Sequence, residues 1–235
     1  MNIIQYTANH PLGFFCDFSI LFAFAFSFPF TGVSSRATFL FKVYVWWLTF
    51  RNLLALWLAS EQTNNLLLYN IDLPIQVCVM LGLFGSLVDK PQTQQIITGV
   101  ALLFCAFFLI DLFISNPDFM DWHNHRMNRY AHVVADGLMI VLVLFFFWRL
   151  TVALAVPDLI RYPFFWVACG LLVYSAGSVF MAPFFFYDNV WNSTLDLDVL
   201  QNIENWVIII CNLFFGVAMW QIRQTARSVA VSTQL

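Results

Sequence analysis

Seven long apolar runs, each broken by only a few polar residues, divide the chain. They fall at about 12–30, 38–59, 66–88, 95–115, 131–152, 163–185 and 203–222. Runs of about 20 residues match what a helix needs to cross about 30 Å of hydrocarbon. Most connections are five to ten residues, and the two longer ones, 116–130 and 186–202, are polar. Lipid-facing strands of this kind would leave backbone groups unpaired. The pattern therefore predicts one all-α domain over residues 1–235, a polytopic bundle of seven transmembrane helices.

Composition supports lipid as the main solvent. Apolar residues make up 61% of the chain and charged residues 10%, where a soluble domain carries about 25% charge. The formal net charge of −3 gives no basic footprint for nucleic acid. The five cysteines all lie in apolar runs without a CxxC pair, which argues against a disulfide framework or a metal cluster. Met1 to His10 has no Lys or Arg, so the positive start of a signal peptide is missing and the first span is expected to be retained. Asn192-Ser193-Thr194 matches a glycosylation sequon, a pattern that is common by chance.

Lys and Arg in the connections set the expected orientation. Arg36, Lys42, Lys90, Arg149, Arg161, Arg223 and Arg227 fall on one side, and only Arg126 and Arg129 on the other. The positive-inside rule then places the N-terminus outside and the C-terminus in the cytoplasm. Trp57, Trp122, Tyr130 and Trp206 mark the outer boundary, and Trp148 and Trp220 the inner one.

With that orientation the ionisable residues collect in the outer third of the membrane. Asp17, Asp72, Asp111, His132, Asp136 and Glu204 all lie near outer helix ends, and Glu61 caps span two. Arg51 lies roughly 12 Å deep at 1.5 Å per residue. A charge at the bilayer centre costs at least about 2.5–3.5 kcal/mol. These groups are therefore expected to face one another around a wet cavity, with Arg51 as counter-ion. Helical spacing supports an inward stripe: Asp72 with Gln76, His132 with Asp136, and Glu204 with Ile208 and Asn212. Span six carries Gly170, Ala176, Gly177 and Ser178, small residues that suit close helix packing, with Tyr174 among them. The expected cavity residues are Arg51, Asp72, Gln76, Asp111, His132, Asp136, Tyr174 and Glu204.

The stretch Asp121 to Gly137 carries three His, two Asp and two Arg at the mouth of span five. His and carboxylate are zinc ligands. His132 and Asp136, with Asp72 or Asp111, are the weak candidate for a metal-dependent lipid hydrolase. Solvated, pH-sensitive loop histidines are the simpler reading. A retinal pigment is excluded by the absence of a lysine from span seven, since the only lysines are Lys42 and Lys90. There is no P-loop, no dinucleotide fingerprint and no GxSxG.

At "YPFFWVACGLLVYSAGSVF" and "ENWVIIICNLFFGVAMW" the chain resembles a group of uncharacterised seven-helix membrane proteins of Bacteroidota-type bacteria. The resemblance covers spans six and seven best and the rest by layout. It implies a bacterial inner-membrane protein, receptor-like or sensor-like, with a signalling kinase or another membrane protein as partner. It transfers no residue role.

These observations favour a non-enzymatic receptor or sensor without a bound cofactor. It would take a small ligand or cation in an outward-facing polar cavity and signal through a cytoplasmic partner, because the chain shows no output domain of its own. Carboxylates outnumber arginine in the expected cavity, which leans toward a cation, an amine or protons. The alternatives are the metal-dependent hydrolase, an ion or proton transporter, and a structural subunit of a membrane complex.

Overall fold

Three helices open on proline, whose fixed φ and missing N–H suit a first helical position: α1 (Pro11–Ser27), α4 (Pro91–Ser115) and α6 (Pro163–Trp191). α2 (Arg36–Ser60) starts behind Ser35, whose Oγ accepts the Thr38 N–H at 3.2 Å. α3 (Leu66–Ser86), α5 (Arg129–Val152) and α7 (Leu197–Ser232) complete the set, with one 3₁₀ turn at Leu159–Arg161. The computed structural model describes residues 11–28, 35–61, 63–88, 91–117, 125–152, 158–191 and 197–232. Among these the protein has seven α-helices and no strand.

Six helices, α2 to α7, are long and apolar enough to cross a membrane. α1 is apolar but shorter, at 17 residues. The helix bounds follow the apolar runs closely, except that α7 continues as helix through the polar tail to Ser232.

Packing closes six helices into a ring in the order α1, α2, α3, α5, α6, α7. α4 stands outside it, against α3 and α5. Side-chain contacts give the directions. Asn52 meets Asp17, and Trp46 meets Phe24, so α1 and α2 are antiparallel. Asn212 meets Ser19, and Gly216 faces Phe22, so α1 and α7 run parallel. Phe41 and Phe215 meet edge-on across the ring, with centroids 5.4 Å apart.

The interior divides along its length. One half is mostly apolar, filled by Phe41, Val45, Met80, Val143, Ala218 and Met219, all fully buried, with Thr38 and Thr49 the buried hydroxyls among them. The other half contains Asn52, Asp72, Gln76, Asn70, Asp136 and Asn212, also buried. Lys42, expected at the inner boundary, is buried in the bundle. Trp57, Trp206 and Tyr130 are exposed near the polar end, and Trp148 and Trp220 near the apolar end, as two interfacial belts require.

α4 exposes Leu102, Leu103, Ile110, Phe113 and Ile114 and buries only Phe104, Phe108, Asp111 and Leu112. That stripe repeats at three to four residues, the single contact face of a peripheral helix. α6 and α7 approach through Gly170 and Gly177. A Cβ at Gly177 would lie 2.8 Å from Val207, so only glycine permits the contact.

Asp111 provides the specific tie between α4 and the ring. Its Oδ2 accepts the N–H groups of Ala131 at 2.8 Å and Tyr130 at 3.1 Å. These are orphan donors of the first turn of α5, so a carboxylate on one helix caps the next. Asp111→Ala is expected to destabilise the fold by about 1–3 kcal/mol, with Asp111→Asn costing less. Unfolding of the purified protein in detergent checks both.

Candidate functional site

Arg51 is the centre of the polar half. It sits on α2, nine residues before the helix end at Ser60. Its guanidinium forms an ion pair with Asp72 of α3. It also donates through Nε and Nη2 to Asn52 Oδ1, at 3.0 and 2.7 Å. The guanidinium carbon lies 5.3 Å from the centroid of the Tyr69 ring, a cation–π distance. Asp72 receives a second donor, Trp47 Nε1, at 2.6 Å. Asn52 donates to the Asp17 carbonyl at 3.2 Å. One connected network thus ties α1, α2 and α3. It gives both ions several partners, which a buried pair requires to offset its desolvation.

Pro74 lies inside α3, two residues after Asp72. With no N–H it cannot bond to the Asn70 carbonyl, which loosens the ladder beside the ion pair. On the opposite wall, Asn212 of α7 donates to Ser19 Oγ at 2.7 Å, and Ser19 donates to the Cys16 carbonyl at 2.6 Å.

These elements enclose a cavity of about 100 Å³. α2 contributes Tyr44, Arg51 and Asn52; α3 contributes Tyr69, Asp72 and Gln76. α5 provides His132, α6 provides Tyr174 and Ser178, and α7 provides Glu204, Ile208 and Asn212. Leu171 and Phe215 form the floor toward the apolar half.

Of the eight residues expected at the cavity, six line it: Arg51, Asp72, Gln76, His132, Tyr174 and Glu204. Two lie elsewhere. Asp111 caps α5, as described above. Asp136 is buried on α5, outside the cavity lining. His132 and Asp136 lie four residues apart on α5, but only His132 lines the cavity. The Nε2 atom of His132 is buried without a hydrogen-bond partner.

Among the described residues no three His, Cys, Asp or Glu side chains come together to hold a metal ion. Asp118, Asp121 and His123 lie outside the described residues, as do Trp122, Lys90 and the sequon at Asn192. The five cysteines are free thiols, and Cys78 and Cys105 meet between α3 and α4, with Sγ atoms 3.6 Å apart.

Three asparagines at helix ends carry a structural role that sequence reasoning missed. Residues 125–128 run beside the cavity, with Met127 in its wall. Asn64 donates to the His125 carbonyl at 2.8 Å. Asn116 accepts the Arg126 N–H at 2.6 Å and donates to the Arg126 carbonyl at 3.1 Å. Asn70 donates to the same carbonyl at 2.8 Å and accepts the Asn128 N–H at 3.0 Å. Buried irregular backbone must find partners, and amide side chains supply both senses of bond. The usable signal was three Asn at span ends beside a long polar connection. His125 is buried in this segment, and burial lowers its pKa from the ordinary imidazole value.

Compared with known proteins, the chain matches no protein family, no curated protein and no solved structure.

Trp47→Phe removes one donor from Asp72 and is expected to cost about 1–2 kcal/mol, read as a lower unfolding midpoint. The His125 term has a definite sign. Its neutral form is favoured in the fold, so that stability is present above the unfolded pKa and is lost as pH falls below about 6.5. Wild type should therefore lose more Tm than His125→Gln between pH 7 and pH 5, measured by intrinsic tryptophan fluorescence.

Proposed function

We propose that this protein is a seven-span receptor or sensor of a bacterial inner membrane, with its N-terminus outside and its C-terminus in the cytoplasm. Its cavity opens outward and binds a small polar ligand, and the bundle signals to a cytoplasmic membrane-associated partner such as a kinase. One observation carries this reading. The polar lining drawn from five helices ends on a floor of Leu171 and Phe215, with Phe41, Met80 and Met219 packed beyond it. A site polar at one end and sealed by close-packed apolar side chains at the other suits binding, not conduction. A transport path would need polar groups continuing to the far face.

The Lys and Arg asymmetry of the sequence supports the orientation, because seven of the nine residues outside Arg51 fall in or beside the connections on one side of the expected spans. α1 counts as a span in this reading because it packs parallel to α7 within the ring.

Reconstitution into liposomes tests the proposal. Proton and monovalent-ion flux should equal that of protein-free vesicles under an imposed gradient or potential. Flux that rises with protein content and falls in Asp72→Asn would replace the receptor by a transporter.

A further inference from the structure

The charges along the cavity wall do not balance. Arg51 and Asp72 neutralise each other in one ion pair, with Trp47 donating to Asp72 and Asn52 accepting from Arg51. Glu204 is the remaining carboxylate in the wall, and it forms no ion pair among the described residues. It shares the cavity wall with Tyr69 and Tyr174. Across from α7, the Nε2 atom of His132 is buried and unpartnered.

We infer that the cavity takes a small organic ammonium, whose charged head pairs with Glu204 beside the Tyr174 ring and whose second polar group meets His132. This inference rests on the ligand-binding reading of the cavity and names the class of ligand. The lining favours an organic cation over a metal ion. A hard metal ion takes six or more oxygen ligands, whereas this wall offers one uncompensated carboxylate and several aromatic rings. Ring faces attract ammonium groups, most strongly where water is excluded. An anion is disfavoured because the one arginine is already engaged by Asp72.

Volume limits the size. The cavity is about 100 Å³, smaller than the roughly 150 Å³ that holds benzene. It suits a ligand of about four or five non-hydrogen atoms. Such a ligand binds no tighter than about a few micromolar even at the upper limit of affinity per atom, so the assay extends to millimolar concentrations.

The probes are ethanolamine, its neutral analogue ethylene glycol, and acetate, each titrated against the full chain in detergent. Thermal unfolding is followed by tryptophan fluorescence. Ethanolamine is expected to raise Tm by at least about 2 °C at saturation, with ethylene glycol and acetate inert. The shift should vanish in Glu204→Gln and persist in part in Glu204→Asp, both compared with their own ligand-free Tm. If Glu204→Gln does not fold, saturation-transfer NMR on wild type decides whether ethanolamine binds and whether acetate competes. An equal ethanolamine shift in Glu204→Gln overturns the assignment to Glu204. Stabilisation by acetate alone, lost in Arg51→Gln, overturns the ligand class and leaves the cavity reading standing. No response to any of the three probes overturns both.

Discussion

A guanidinium buried among apolar helices is the constraint that organises this molecule. Arg51 stands about 13 Å from its helix end at 1.5 Å per residue, too deep to be solvated cheaply. Insertion of one such charge costs at least about 2.5–3.5 kcal/mol. The structure meets that cost with a carboxylate from α3, an amide from its own helix and a tyrosine ring. Each partner occupies a fixed position on its helix. The pair therefore sets the register of α2 against α3, and Asn52 extends it to α1. Apolar packing alone would fix that register weakly, since lipid tails are as apolar as leucine.

The same need for internal partners recurs where the backbone is irregular. Residues 125–128 have no helix to satisfy them, and Asn64, Asn70 and Asn116 supply the bonds instead. The start of α5 has unpaired N–H groups, and Asp111 supplies their acceptor. In both places a polar side chain near a span end completes the backbone of another segment. Not every such residue is therefore a candidate ligand group, and the cavity is smaller in chemistry than the count of acidic residues implies. What remains is an ion pair, one further carboxylate, one imidazole, several tyrosines and the neutral polar groups of Asn52, Gln76, Ser178 and Asn212, above a floor of apolar side chains.

Much of this was legible in the sequence. Hydropathy located all seven helices, since runs of 20 apolar residues have few alternative structures. The need of Arg51 for a carboxylate on another helix followed from its depth. Helical spacing put Glu204, Ile208 and Asn212 on one face, and all three line the cavity. Asp111 was misread because depth and residue type do not distinguish a carboxylate facing a cavity from one facing the N–H groups of a neighbouring helix. Asp136 was misread because a shared helical face spans an arc wide enough to meet two neighbours, and the face of α5 divides between α3 and α6. The peripheral place of α4 was hidden because a helix apolar on every side has no visible direction.

A double-mutant cycle on Arg51 and Asp72 tests the organising interaction most directly. Unfolding free energies would be measured in lipid nanodiscs for Arg51→Gln, Asp72→Asn and the double variant. Each single substitution should cost about 3–5 kcal/mol because it strands a buried charge. The double variant should cost clearly less than the two together, by at least about 1 kcal/mol of coupling. Losses that add within about 0.5 kcal/mol would mean the two groups do not share their environment, and the cavity built around them would not exist.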